Sequence, residues 1–298
     1  MKNVIVTGAN GFVGSALVEK LVEKGVRVIA LNRSFSESII PKSDLVTEIE
    51  TSLDDVDELV KVIPDLAYDA FYHLAWSGVN GPLKVDPLTQ IKNIEIAVKC
   101  VNLCRQLRMR KFLCAGTIAE HATESLANLE VTNGGMVYGV AKHCARLILE
   151  TYCKSISQPF VWMQFANIYG PSNKTGNLVS YTIGELKKDR EAMFGSANQP
   201  YDFIYVDDLI EAMFRLGEKE NRSNCYYIGS GKPRKLKEYI FEIGKLCGKE
   251  DLVKIGVRCD DGIKYTEEMF DISAIKNDIG EYISKDFSEG IKYTLENY

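Results

Sequence analysis

Short runs rich in β-branched and other apolar residues alternate with segments of helical spacing through the first half of the chain. Residues 2–6, 26–31, 70–74, 111–115 and 161–165 read as strands, nearly continuous in apolar character as buried strands are. Residues 12–24, 53–62, 90–107 and 136–155 read as helices. In the first of these Phe12, Val13, Ala16, Leu17 and Leu21 recur at helical spacing, and Gly25 closes the helix where a left-handed residue is favoured.

Strands that alternate with helices imply parallel neighbours, because parallel pairs need crossover connections. The expectation is an α/β fold with a doubly wound parallel sheet of Rossmann type. After Asn167 the pattern changes to loops rich in Gly, Asn and Ser with short periodic pieces, as expected of a smaller C-terminal lobe over the sheet's carboxyl edge. No fixed-period repeat or low-complexity linker interrupts the 298 residues.

Composition narrows the partners. The net charge is −5 with both signs interspersed and no Lys/Arg block, which argues against nucleic acid or an anionic membrane surface. No apolar run reaches the roughly 20 residues that span a bilayer, and the chain opens directly into a strand. The eight cysteines show no metal-ligand or disulfide spacing and read as small buried hydrophobes. A soluble, reduced, cytoplasmic protein is the expectation. The three histidines are scattered, so no metal site is expected, and His73 and His143 read as buried histidines with satisfied polar atoms.

Val6-Thr7-Gly8-Ala9-Asn10-Gly11-Phe12-Val13-Gly14 leaves a strand and opens a helix. Such glycines let the backbone turn sharply and approach a pyrophosphate, which meets the N–H groups of the helix start. Dinucleotide binding by Gly8, Asn10, Gly11, Phe12, Val13 and Gly14 follows. The divisions expected are a dinucleotide-binding domain over 1–170, with 201–228 returning to it, and a substrate-binding lobe over 171–199 and 229–298. The second strand ends in Asn32-Arg33-Ser34 without an acid. A guanidinium and a hydroxyl suit a ribose 2′-phosphate, so NADP is expected, with NAD as the alternative.

The setting Thr7-Gly8-Ala9-Asn10-Gly11-Phe12-Val13-Gly14 resembles the extended short-chain dehydrogenase/reductase family, the epimerase/dehydratase group that modifies nucleotide sugars. Later motifs repeat the resemblance. Tyr138-Gly139-Val140-Ala141-Lys142 puts a phenol and an ammonium four residues apart on one helix face. A phenol has a pKa near 10, and a neighbouring cation is expected to lower it towards a range useful for proton transfer. The resemblance adds that Lys142 holds the nicotinamide ribose and that Thr117, leaving the strand 111–115, is the third catalytic residue. Leu74, Ala75, Asn93, Phe165 and Asn167 match positions that line or support the cofactor. Trp76 follows Leu74-Ala75 where the family usually has a small residue, and is expected in the substrate wall. His121-Ala122 stands where a Tyr-Gly pair is common, and the 117–138 loop reads as short.

On the substrate side, Asn167-Ile168-Tyr169-Gly170-Pro171 resembles the family's Asn-Val-Tyr-Gly-Pro segment. Tyr201-Asp202-Phe203-Ile204-Tyr205-Val206-Asp207-Asp208 resembles a signature of nucleotide-sugar enzymes, with Tyr201 in place of arginine. Thr117, Asn167, Trp76 and Tyr201 are the expected substrate contacts, with Arg258 as a replacement diphosphate contact. The resemblance implies a hydride step on a nucleotide-linked sugar and a homodimer through the long helices. Family dehydratases carry Asp-Glu after the catalytic hydroxyl, where this chain has Ile118-Ala119, so dehydration is disfavoured. A reductase uses NADPH once per cycle, which fits Asn32-Arg33-Ser34, so reduction of a 4-keto-6-deoxy nucleotide sugar is favoured. 4-Epimerisation with retained NAD is the runner-up, and a non-catalytic dinucleotide sensor the reading from another class.

Overall fold

The computed structural model describes residues 1–121, 136–173, 176–260 and 265–298. Ala122 and most of the 117–138 loop lie outside the described residues. A seven-stranded sheet forms the centre. Its strands are β1 (Asn3–Thr7), β2 (Arg27–Asn32), β3 (Val46–Glu50), β4 (Ala70–His73), β5 (Phe112–Thr117), β6 (Phe160–Phe165) and, at the far edge, β11 (Cys225–Ile228). The order β11-β6-β5-β4-β1-β2-β3 is parallel throughout, as the βα alternation requires.

Helices α1 (Phe12–Glu23), α2 (Pro87–Gln106) and α3 (Met136–Ser155) cover the sheet with α5 (Val206–Glu218), which packs on α1. Val4, Val6, Leu17, Leu21 and Met213 bury one face of the sheet, while Ile5, Phe71, Phe112, Cys114 and Trp162 bury the other against α2 and α3. The C-terminal segments add α4 (Leu178–Lys187), α6 (Leu236–Leu246), α7 (Ser273–Ile279) and α8 (Phe287–Glu296). Among them run short paired strands: β7 (Asn167–Tyr169) with β10 (Phe203–Tyr205), β8 (Ala192–Met193) with β13 (Val253–Lys254), and β9 (Pro200–Tyr201) with β12 (Arg234–Lys235). Of residues 201–228, Cys225–Ile228 joins the main sheet, while Tyr201 and Phe203–Tyr205 pair elsewhere.

Three local readings change. Val46–Glu50 is an edge strand that the apolar pattern does not announce, because several of its residues face solvent. Leu53–Lys61 is a 3-10 segment kinked at Asp55 rather than an α-helix. Helix α2 starts at Pro87, three residues earlier than its apolar spacing suggests, because Asp86 caps it by accepting from the Thr89 N–H and Pro87 suits the first turn. Strand order reverses at β1, whose neighbours β2 and β4 lead to opposite edges. A crevice therefore opens at the carboxyl ends of β1 and β4.

Candidate active site

The glycine turn is built by close approach. Gly8 has φ +68°, and a Cβ there would stand 2.9 Å from Ala75 N. A Cβ on Gly14 would meet Gly8 O at 2.1 Å, so only glycine lets α1 pack on the end of β1. Gly11 caps α1 without a side-chain hydrogen bond, which leaves the first-turn N–H groups to face the crevice with the positive end of the helix dipole. Thr7 Oγ1 accepts from Leu74 N at 3.2 Å and Ala75 N at 3.3 Å, tying the end of β4 to that of β1. The cradle fits a dinucleotide pyrophosphate.

Two joined cavities run along the crevice. The first, about 360 Å³, is lined by Gly8, Asn10, Gly11, Asn32, Arg33, Asp54, Ala75, Trp76 and Asn93. Asn10 Oδ1 accepts from Ile39 N and its Nδ2 donates to Glu37 O, pinning the loop after β2. Asn32 Nδ2 donates to Ser34 O, and Arg33 is exposed with no ion pair among the described residues. Ser34 lies on neither cavity; its hydroxyl bonds Ser36.

The second cavity, about 450 Å³, brings together Gly8, Gly11, Phe12, Val13, Gly14, Leu74, Trp76, Thr117, Tyr138, Lys142, Phe165, Asn167 and Tyr201. Thr117 ends β5, and Tyr138 lies in the first turn of α3. Gly139 permits their meeting, since a Cβ there would stand 2.2 Å from Ala119 O in the turn that follows Thr117. The Tyr138 phenol is hydrogen-bonded to the Thr117 side chain. Lys142, 3% exposed, donates to Ala115 O at 2.7 Å and holds its ammonium 3.7 Å from the Trp76 ring centroid. Gln90 Oε1 fixes that ring by accepting from Trp76 Nε1 at 2.8 Å. Desolvated cation–π contacts of this kind are worth about 2 kcal/mol.

The electrostatics differ from the sequence expectation in one respect. Burial pushes the Tyr138 phenol up; the Thr117 hydrogen bond pulls it down and the Glu120 carboxylate raises it further. Burial also pulls Lys142 down to about 8. Instead of a phenolate drawn out by Lys142, the site holds a neutral phenol.

Asn93 does not reach Lys142; it braces the loop after β4 through Ser77, accepting from its N–H and donating to its carbonyl. Arg258 lies on neither cavity. It is exposed, donates to Tyr181 Oη at 3.0 Å and stacks on that ring. His73 is buried with one nitrogen satisfied. Thr7 Oγ1 already accepts two N–H groups, so its proton goes to Nδ1, and Nε2 is left without a hydrogen-bond partner among the described residues. Burial holds this ring neutral, down at about 3. His143 is half-buried. No metal-ligand cluster occurs among the described residues.

The sequence reading missed Lys84, Asn80, Asn173, Asn177 and Tyr265 in the second cavity, and Asp54 in the first. They come from loops and short 3-10 segments with no motif around them. Tyr265 meets Tyr201 edge-on at 5.9 Å, so an aromatic wall stands where the family signature has an arginine.

Comparison with known proteins agrees with this geometry. Residues 4–229 match the model of the NAD dependent epimerase/dehydratase family. A CDP-abequose synthase from Salmonella muenchen is 26% identical, covering 82% of this chain and 80% of that protein. Two solved structures share the fold over 99% of this chain, with 97% of the first and 96% of the second covered. One is a UDP-glucose 4-epimerase from Thermotoga maritima, with TM-score 0.83 and 22% identity. For the dTDP-glucose 4,6-dehydratase of Bacillus anthracis, TM-score is 0.82, coverage of that chain 96% and identity 18%. The matching family model, the glycine cradle of the crevice and the Thr117–Tyr138–Lys142 cluster together make this chain a member of the NAD dependent epimerase/dehydratase family.

Proposed function

We propose that this enzyme reduces a 4-keto-6-deoxy nucleotide sugar with NADPH. The observation that carries the reading is a cavity in which Thr117, Tyr138 and Lys142 converge while no carboxylate lines it among the described residues. Elimination of water calls for a general base or acid beyond the tyrosine. Here Ile118 and Ala119 follow Thr117, and Glu120 is turned into the sheet. A phenol that burial keeps protonated suits donation of a proton to the sugar oxygen as a carbonyl becomes an alcohol.

The bound dinucleotide supplies the hydride, and the residues of this chain do the rest. Gly8, Gly11 and the first turn of α1 hold the pyrophosphate, with Asn10, Phe12, Val13 and Gly14 shaping the turn. Leu74, Ala75, Phe165 and Asn167 line the path towards the nicotinamide, and Asn93 braces the loop beside it. Lys142 binds the nicotinamide ribose, Thr117 holds the sugar oxygen by a hydrogen bond, and Tyr138 gives that oxygen its proton. Trp76, Asn167 and Tyr201 frame the sugar nucleotide.

Arg33, without an ion pair among the described residues and next to Asn32 rather than an acid, supports NADPH. Arg33→Ala is expected to raise the KM for NADPH about 10- to 100-fold, the worth of charged hydrogen bonds, and to leave that for NADH near its original value. Equal effects on the two would remove the argument. Asp54 on the same cavity favours the second reading, 4-epimerisation with retained NAD, because a carboxylate there opposes an added phosphate. The deciding assay mixes the enzyme with NADPH or NADH and a panel of 4-keto-6-deoxy nucleotide sugars. Stoichiometric NADPH oxidation supports reduction. Interconversion of nucleotide sugars without net cofactor consumption supports epimerisation.

A homodimer is proposed from the outer faces of α2 and α3. Leu88 is 76% exposed, Ile91 61%, Leu147 50% and Ile148 45%. Apolar residues exposed on adjacent helices suit a symmetric helical interface. Leu147→Glu with Ile148→Glu should convert a dimer to a monomer in light scattering; an unchanged mass would place the interface elsewhere. No described helix is long and apolar enough to cross a membrane, and a cytoplasmic location is proposed on the reduced cysteines.

A further inference from the structure

Glu120 follows Thr117 in the short turn Ile118–His121, is 1% exposed, and takes no part in the steps above. Its Oε1 accepts the Thr117 N–H at 2.7 Å. Trp162 Nε1–H donates to Oε1 at 3.0 Å and Oε2 at 3.1 Å, and Gln164 Nε2 reaches Oε2 at 3.4 Å. Arg146 Nε stands 3.8 Å from Oε2. All these partners are donors, so the pocket matches the ionised carboxylate, which only accepts.

The backbone is shaped for this convergence. Trp162 and Gln164 are two apart on β6 and project from one face. Gly116 lies opposite Gln164 in the β5–β6 register. A Cβ on Gly116 would stand 2.2 Å from Trp162 Nε1 and 2.7 Å from Glu120 Oε1. A buried carboxylate is costly, and an apolar side chain could fill the same space without that cost. The charge therefore calls for a use.

We propose that Glu120 is a positioning residue of the active site: its carboxylate clamps Thr117 to β6 and is the counter-charge of the buried Lys142 ammonium. This rests on the roles assigned above to Thr117 and Lys142. The groups acting on Lys142 come from every element around it. Cys114 on β5 has its thiol pushed up to about 12 by burial, and His73 on β4 is held down at about 3. Tyr138, one turn earlier on α3, is a neutral phenol, and Trp76 and Trp162 contribute rings. All of these are uncharged at neutral pH. The Trp162 indole joins the two, with its Nε1–H on the Glu120 carboxylate and its ring centroid 5.9 Å from the Lys142 ammonium. Among the described residues Glu120 is the formal negative charge that opposes the downward pull of burial on Lys142; burial pushes its own carboxyl up, and the Thr117 N–H, Trp162 and Arg146 draw it back down.

The test is an NMR pH titration of the full chain labelled with 13C at the lysine ε-carbon. The Lys142 signal is identified by its loss in Lys142→Met. In Glu120→Gln, Lys142 is expected to titrate about one pH unit lower than in the unmodified protein, and the alkaline limb of kcat should move with it. A Lys142 titration that does not move overturns the proposal. Should Glu120→Gln not fold, Trp162→Phe keeps the carboxylate and removes one donor from both its oxygens. Glu120 then protonates at higher pH, and loss of the ammonium signal's normal position should begin at correspondingly higher pH on the acid side. An unchanged acid side overturns the proposal equally. The lysine titration needs no substrate. Absence of turnover with every nucleotide sugar would reject the proposed function and leave the Glu120 result to stand by itself.

Discussion

Replacing Tyr138 by phenylalanine is expected to lower kcat by about 10²- to 10⁴-fold, the usual worth of a positioned general acid or base. The fold and the cofactor's dissociation constant should change little. The ring fills a site that is 8% exposed, and the change removes only the hydroxyl. That hydroxyl is bonded to Thr117, whose own Oγ1 also accepts from Ala119 N at 3.2 Å, so the turn keeps its anchor. Equilibrium binding of NADPH by fluorescence, set beside kcat, separates the two effects. Undiminished turnover would remove Tyr138 from the mechanism and revive the non-catalytic sensor reading. Weakened NADPH binding together with lost turnover would give Tyr138 a role in holding the cofactor instead.

Gly14→Ala is expected to have the largest effect on the fold and on cofactor binding together. Its new Cβ would stand 2.1 Å from Gly8 O and 2.9 Å from the Ala9 Cα, both backbone atoms that no side-chain rotation can clear. Helix α1 must therefore move off β1, opening the contact of Leu17 and Leu21 with the sheet. Overpacking of this kind costs about 1–3 kcal/mol or more. The helix start also leaves the pyrophosphate position. Chemical denaturation and NADPH titration should show lower stability and at least about tenfold weaker binding, since loss of one charged hydrogen bond accounts for that much. Gly25→Ala serves as the comparison. Nothing lies within 4 Å of a Cβ at that position, so its cost is only the strain of φ +72° and cofactor affinity should hold. Equal loss of affinity in both variants would show that the approach at Gly14 is not what shapes the cradle.

The amino-acid sequence alone determined the parallel α/β sheet, the glycine cradle and the Tyr138–Lys142 pair, and the family resemblance added Thr117 to them. These are local features: β-strands buried on both faces must be apolar throughout, a glycine turn is marked by residues three apart, and a phenol and an amine four apart share a helix face. What the sequence could not decide was sidedness and distance between parts far apart in the chain. The edge strand Val46–Glu50 carries no buried face to mark it. Arg258, offered as a replacement diphosphate contact, ends on Tyr181 away from the crevice, while Lys84 and Tyr265 enter the cavity with no motif at all. Glu120 reads as one acid in a turn until β6 brings Trp162 and Gln164 onto its oxygens, more than forty positions along the chain at 42 and 44 residues. The protonation of Tyr138 was likewise a tertiary matter. The sequence supplies the neighbouring cation, but burial by the assembled cavity outweighs it, because desolvation depends on everything packed around the phenol and not on the residue one turn away.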